Sequence, residues 1–368
     1  MTADRPLHVL MTADTVGGVW TYALDLAAGL RDAGMRVTLA VLGPPPSPAQ
    51  TRAVQAADPL GMIVTGLPLD WLAETPDQVI KAGKALADLA QEVGADLVHL
   101  NSPALAAGAG FVQPVLGACH SCLATWWDAC ASGPLPEHFR WRTDRLAAGY
   151  RACDTLIAPT RAFAAATAAA YPGVRPAVVH NGRSWPAPGF EDERSACVIT
   201  AGRLWDSGKN LAALDAVAER LSYPVVAVGP TRGPNGEQVC ARRVRLLGPL
   251  PPEALAVRLA KAPVFASLAL YEPFGLTVLE AAQSGCALVL SDIPSFRELW
   301  DGAAVFVDPR APDQAAARIE ALLDDPGEAA RRGYAARRRA QGYTLGAMTA
   351  GTLAAYASAA APLRESVA

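Results

Sequence analysis

The chain has 368 residues, 51% of them hydrophobic and 18% charged, and 32 Lys and Arg against 35 Asp and Glu leave a net charge of −3. That length suits two domains with sizeable cores, and the composition excludes an intrinsically disordered chain. A near-balanced charge offers nothing global to nucleic acid, and seven scattered cysteines point to reduced thiols and the cytoplasm.

No apolar run reaches 18 residues, and Met1 to Asp14 lacks an apolar leader segment, so neither a membrane-spanning helix nor a secretory signal is expected. His8 to Ala13 reads as a strand that ends in a Gly17-Gly18 turn. Val19, Tyr22, Ala23, Leu26 and Leu30 then recur at helical spacing up to Gly34, and Val37 to Leu42 is the next strand. Strand, glycine turn, helix and strand make the unit of a doubly wound parallel sheet. The glycines let backbone N–H groups approach a ligand, although a tight turn without one reads the same. Gly-x-Gly-x-x-Gly is absent, which argues against a nicotinamide site.

After a proline-rich loop at Pro44 to Pro48, strands are expected at Ile63–Leu67, Asp96–Leu100 and Pro114–Ser121, with a helix over Val79–Val93. The last of these strands carries His120 at its end. Cys119, Cys122 and Cys130 surround His120, but no second pair stands at a zinc-site spacing, so a metal or redox role is disfavoured. Trp126 to Arg151 is basic and aromatic. It reads either as a solvated helix face over core aromatics or as an acceptor or membrane-surface site. Cys153 to Arg161 and Ala177 to Gly182 supply further strands and turns. Arg183 to Ser195, rich in Pro, Gly and charge, reads as a linker.

The second half restarts with a strand at Ala196–Ala201, followed by Gly202-Arg-Leu-Trp-Asp-Ser-Gly-Lys-Asn and a helix. Arg203 and Lys209 flank a loop that opens a helix, a suitable place to bind a diphosphate. Strands follow at Pro224–Gly229 and Val244–Gly248, and a helix at Glu253–Ala260. The stretch Ser267 to Glu280 organises this half. A buried strand leads into Tyr271-Glu-Pro-Phe-Gly, and a helix runs from Leu276 to Ser284. The helix N-terminus suits an anion, while Glu272 and Glu280 are acceptor-only carboxylates suited to sugar hydroxyls. A diphosphate between two polyhydroxylated rings describes a nucleotide sugar. Strands at Ala287–Asp292 and Ala303–Pro309, two helices from Pro312 and an Ala-rich helix over Leu345–Ala361 complete the chain. Arg331, Arg332, Arg337, Arg338 and Arg339 read as a solvated face.

Glu272-Pro-Phe-Gly-Leu-Thr-Val-Leu-Glu280 resembles the E-x7-E motif of the family 4 retaining glycosyltransferases. The resemblance runs over essentially the whole chain, strongest at 199–210 and 267–300 and weakest at 44–95. It implies an α/β fold of the GT-B type, with two Rossmann-like domains facing each other across a cleft. The domains expected are 1–182 on the acceptor side, a 183–195 linker, 196–344 for the nucleotide sugar, and a final helix over 345–368 that crosses back.

By the same resemblance, Glu272 contacts the donor sugar, Glu280 the ribose, and Arg203 and Lys209 the diphosphate. His120 lies near the donor sugar, and Gly17 and Gly18 face the diphosphate and acceptor. The backbone near Leu247 meets the nucleobase, and Phe274, Gly275 and Leu276 bring N–H groups to the donor. Arg183-Ser184 departs from the family pattern after Asn-Gly, and the Arg203–Lys209 spacing is one residue longer than the commonest form.

The expected reaction transfers a hexose with retention from a UDP sugar, or next a GDP sugar, to a carbohydrate or lipid-linked acceptor. No metal or other cofactor is expected, because the two cations serve in its place. A phosphorylase using inorganic phosphate and a sugar-nucleotide-binding protein without catalysis stand as alternatives. A cytoplasmic chain is expected, with a peripheral place at the inner membrane face left open by the basic stretch.

Overall fold

A computed structural model describes residues 5–56, 61–186 and 194–365. Residues 187–193 of the expected linker and 366–368 of the final segment lie outside the described residues. The chain divides into two compact units. One is Met1–Asp128 with Ser132–Arg183 and Leu345–Ala368, and the other is Ala129–Ala131 with Ser184–Thr344.

The first unit begins β1 (His8–Asp14), α1 (Gly18–Asp32), β2 (Arg36–Leu42), α2 (Pro48–Ala56), β3 (Gly61–Val64), α3 (Pro76–Glu92) and β4 (Leu97–Leu100). It continues with β5 (Val115–Ala118), α4 (Leu123–Cys130), α5 (Glu137–Ala152), β6 (Thr155–Ala158), α6 (Arg161–Ala170) and β7 (Ala177–Val178). The strands form one parallel sheet in the order β3-β2-β1-β4-β5-β6-β7. Helices cover both faces of such a sheet, so its strands must be apolar on both sides. β1 and β2 are accordingly buried almost end to end. α1 buries Trp20, Tyr22, Leu26 and Leu30 against the sheet, at the 3.6-residue period the sequence shows. α3 starts cleanly because Pro76 opens its first turn and the Thr75 side chain accepts the Gln78 N–H.

The second unit runs β8 (Val198–Ala201), α7 (Leu211–Ala218), β9 (Val225–Val228), β10 (Arg245–Leu246), α8 (Pro252–Lys261), β11 (Val264–Ser267) and α9 (Leu276–Gln283). It ends with β12 (Ala287–Ser291), α10 (Pro294–Trp300), β13 (Ala304–Val307), α11 (Pro312–Asp324) and α12 (Pro326–Ala340). Its parallel sheet has the order β10-β9-β8-β11-β12-β13. Phe265, Leu279, Leu288, Phe296 and Trp300 are all essentially inaccessible and form its core. α13 (Leu345–Glu365) then packs Met348, Ala355 and Tyr356 into the core of the first unit.

The structure differs from the sequence expectations in several places. β7 is only two residues long, and the buried polar residues Asn181 and Arg183 follow it outside the strand. The basic stretch is two helices, α4 and α5, and α6 and α10 appear where no helix was expected. Arg339 is exposed, as a solvated face would have it, but its guanidinium is also tied to the chain. It donates to the Leu299 carbonyl at 2.7 Å and the Glu298 carbonyl at 3.1 Å, closing the C-terminal end of α10. Among the described residues no helix is long and apolar enough to cross a membrane.

Each sheet reverses its winding once, between β1 and β4 and between β8 and β11. Ligands of open α/β sheets bind outside the carboxyl ends of the strands at such a reversal. The first reversal brings Gly17-Gly18 and Asn101 together at one edge, with His120 after the neighbouring β5. The second brings Arg203, after β8, to the same edge as Glu272, after β11.

Candidate functional site

In the second unit, Gly202 follows β8 and leads into Arg203. Asp206 caps the single turn Ser207–Lys209 by accepting the Gly208 N–H at 2.9 Å, and its other oxygen takes the Arg203 guanidinium at 3.1 Å. Arg203 also lies over the Trp205 ring, 5.6 Å from its centroid, a cation–π position. Asn210 then adopts a left-handed conformation with φ 55° and opens α7. Its Nδ2 donates to the Leu268 carbonyl at 2.9 Å and the Pro309 carbonyl at 3.1 Å, tying three strand-end loops together.

The loop after β11 is anchored to that turn, since the Leu270 N–H donates to the Gly208 carbonyl at 2.8 Å. This contact carries Glu272 to Lys209. Lys209 Nζ lies 2.5 Å from Glu272 Oε2, and the two side chains are only 20% and 13% exposed. Ions so close and so enclosed form a charge-assisted pair and leave each other's remaining hydrogen-bonding capacity for a ligand. Ser295 Oγ donates to the Glu272 carbonyl at 2.5 Å and holds the loop from α10.

Gly275, with φ 90°, is the N-cap of α9, and no side chain caps that helix. A Cβ there would lie 3.1–3.3 Å from Val278, Phe296 and Glu272, so both space and backbone favour glycine. The helix therefore presents open N–H groups beside the Lys209–Glu272 pair. Glu280 lies further along α9 and is 4% exposed. A carboxylate so enclosed needs hydrogen-bonding partners.

Phe274 is 3% exposed and packs edge-on against Tyr343 at 5.9 Å, so only its backbone can meet a ligand. Leu276 packs partly against the same core, and the Leu247 N–H is spent on the Ala227 carbonyl at 2.9 Å.

In the first unit, Gly17 is the N-cap of α1 with no side-chain cap, and Asp14 Oδ1 accepts the Val16 N–H at 2.9 Å to shape the turn before it. His120 stands against the Tyr22 ring, edge-on at 4.5 Å, and its Nε2 is 2.7 Å from Asn101 Oδ1. Burial lowers its pKa to about 4. His99, inside β4, is wholly buried, with Nδ1 2.8 Å from the Tyr356 hydroxyl. Burial above all, and then His120, lower its pKa to about 3.

Arg183, where the sequence leaves the family pattern, is 9% exposed and its Nε lies 3.3 Å from Asp25 on α1. Burial raises Asp25 to about 6 despite that cation. Arg142 and Arg145 donate to the carbonyls of Asp70 and Ala107 at 3.1 and 2.8 Å, and Arg140 pairs with Glu137 at 2.9 Å.

Sequence reasoning placed Asn101 on the ligand edge of the first sheet but missed Asp206, Asn210, Ser295 and Tyr22. Only Asp206 carries a readable signal, because Asp two residues before Gly is a turn cap. All seven cysteines are free thiols, and among the described residues no three His, Cys, Asp or Glu side chains gather as a metal site would require.

Two parallel α/β units with charged residues gathered at the strand ends define the class as GT-B. A family model described as Glycosyltransferase Family 4 matches residues 16–184, and one described as Glycosyl transferases group 1 matches 237–339. The chain belongs to the family 4 glycosyltransferases.

Over 100 residues it is 39% identical to glycogen synthase of Mycobacterium tuberculosis, a stretch covering 27% of this chain and 24% of that one. Over 83 residues it is 37% identical to O-antigen chain mannosyltransferase B of Escherichia coli, covering 22% of each. The matched stretch thus spans about a quarter of these curated relatives. The fold is similar to sucrose-phosphate synthase of Thermosynechococcus elongatus, with TM-score 0.79, 18% identity and coverage of 97% of this chain and 100% of that one. It is also similar to Anabaena HepE in complex with UDP and glucose, with TM-score 0.70, 19% identity and coverage of 95% and 99%.

Proposed function

We propose that the chain is a retaining glycosyltransferase that moves a hexose from a nucleotide-diphosphate sugar, UDP first and GDP next, to a carbohydrate or lipid-linked acceptor. The observation that carries this reading is the Lys209–Glu272 pair at the uncapped N-terminus of α9, with Glu280 enclosed on the same helix. Arg203 and Lys209 take the diphosphate together with the N–H groups around Gly275. Glu272 takes donor hydroxyls, Glu280 the ribose, and the Leu247 strand end the base. His120 takes a hydroxyl of the transferred sugar, and Gly17-Gly18 leave space for diphosphate and acceptor.

The bond from the anomeric carbon to the diphosphate oxygen breaks, and negative charge grows on that oxygen. Fixed cations and N–H dipoles stabilise the growing charge more than the bound donor, which is what accelerates a reaction. The acceptor hydroxyl bonds to the same face of the anomeric carbon and passes its proton to the departing phosphate. Such a route needs no second carboxylate on the opposite face.

A cytoplasmic place agrees with this donor chemistry. The basic stretch supports a framework role over a membrane-facing one, because Arg142 and Arg145 are committed to carbonyls. The test is incubation with UDP- and GDP-hexoses and candidate glycans, following nucleotide release and the product's anomeric proton by NMR. Release with retained configuration and without added phosphate is expected. Inverted product, or turnover only with inorganic phosphate, would overturn the reading.

A further inference from the structure

The first unit holds a polar chain that the diphosphate chemistry does not use. Asn101, just past β4, meets Thr12 in β1 twice. Its backbone N–H donates to Thr12 Oγ1 at 2.8 Å, and its Nδ2 donates to the Thr12 carbonyl at 2.5 Å. The second bond fixes which end of the amide points where, because a carbonyl can face only the NH2 end. The Oδ1 end is therefore the atom 2.7 Å from His120 Nε2. An amide oxygen cannot donate, so Nε2 must carry the hydrogen. In a neutral imidazole the other nitrogen is then a bare acceptor. Burial favours the neutral ring, and the Tyr22 edge at 4.5 Å holds its plane.

We propose that Asn101, locked by Thr12, is a positioning residue that holds His120 as the Nε2–H tautomer, so that Nδ1 accepts a hydrogen bond from a hydroxyl of the transferred sugar. The hydroxyl partner rests on the donor reading above, whereas the tautomer does not. An acceptor-only nitrogen takes an alcohol and refuses a phosphate or carboxylate oxygen, which offers no hydrogen. His120 thus selects for the sugar and against the diphosphate end of the same ligand.

The test is long-range 15N–1H NMR of the histidine rings, with His120 assigned by the signals lost in His120→Gln. The wild type is expected to show a pyrrole-type Nε2 and a pyridine-type Nδ1 from pH 6 to 8. Asn101→Asp keeps the size but attracts a second ring proton, and Asn101→Ala removes the acceptor. In both, Nδ1 should lose its pyridine character. Affinity for the nucleotide sugar should fall about tenfold while affinity for the free nucleotide holds, the size expected for one lost hydrogen bond.

A pyrrole-type Nδ1 in the wild type, or an unchanged tautomer in either folded variant, overturns the proposal. If neither variant folds, the wild-type spectrum decides alone. If no nucleotide sugar binds the wild type, the donor reading and its hydroxyl partner fall, and the spectrum still tests the tautomer.

Discussion

Lys209 and Glu272 illustrate how one contact serves two ends of a ligand. At 2.5 Å the pair keeps a flexible ammonium from wandering and holds the carboxylate upright in a mostly buried loop. Removing Glu272 should leave free-nucleotide affinity almost unchanged but erase discrimination among donor sugars, as competition binding with several nucleotide sugars would reveal. Equal losses for nucleotide and nucleotide sugar would contradict that assignment. Arg203→Ala and Lys209→Ala should lower kcat about a hundredfold to a thousandfold, more than they raise KM, because charge develops on the diphosphate during reaction. A change confined to KM would reduce either residue to ground-state binding.

Arg203, Lys209, Glu272 and Glu280 were singled out in the sequence chiefly by the resemblance of Glu272-Pro-Phe-Gly-Leu-Thr-Val-Leu-Glu280 to a family motif, since two glutamates or two cations alone read equally as a solvated surface. Asp206, Asn210 and Ser295 were not, since their work is done through backbone carbonyls and N–H groups of loops, most of them distant in sequence.

At the scale of elements, His99 within β4 and His120 just past β5 are two histidines whose burial makes the first unit sensitive to acid. His99 and His120 have folded pKa values of about 3 and about 4, below the unfolded 6.5. A depressed pKa means that the unfolded chain binds more protons. The stability these rings contribute is therefore complete above pH 6.5 and is lost as pH falls through 4 toward 3. For fully buried His99 this amounts to on the order of 5 kcal/mol. Asp25 on α1 acts in the opposite sense. Its pKa is raised from 3.8 to about 6, so its contribution is complete below pH 3.8 and lost as pH rises through 6. Denaturant titrations between pH 4 and 7.5 should show stability falling toward acid, with His99→Gln flattening the slope. An unchanged slope would mean that His99 is not the buried neutral ring described.

The end of β9 makes a second element-scale prediction. Gly229 has φ 140°, and a Cβ there would lie 1.8 Å from the Gly202 carbonyl oxygen. Gly229→Ala should cost about 3 kcal/mol or more, read as a lower denaturation midpoint. Neither effect could be read from sequence. Burial of a histidine and approach of two strand-end glycines depend on which strands the topology makes neighbours.

For the whole molecule, the doubly wound character of both units was readable because parallel strands buried on two faces are short continuous apolar runs between helices. The order of strands was not readable, and it is the order that places the winding reversals. Those reversals bring Glu272 to Lys209 across 63 positions of sequence. The Arg183–Asp25 pair also has a whole-molecule origin, because it ties the point where the chain leaves the first unit to α1. Only a departure from the family pattern was visible there beforehand.

The central claim is that the second unit holds a nucleotide diphosphate by its ribose through Glu280 and by its phosphates through Arg203 and Lys209. Titration calorimetry of the wild type and Glu280→Ala with UDP, GDP and their sugar derivatives tests it most directly. Saturable binding by the wild type is predicted, with free nucleotide and nucleotide sugar both weakened by about 1.5–3 kcal/mol in Glu280→Ala, the range for a hydrogen bond to a charged acceptor. No binding of any nucleotide diphosphate by the wild type, or equal affinity in Glu280→Ala, would contradict it.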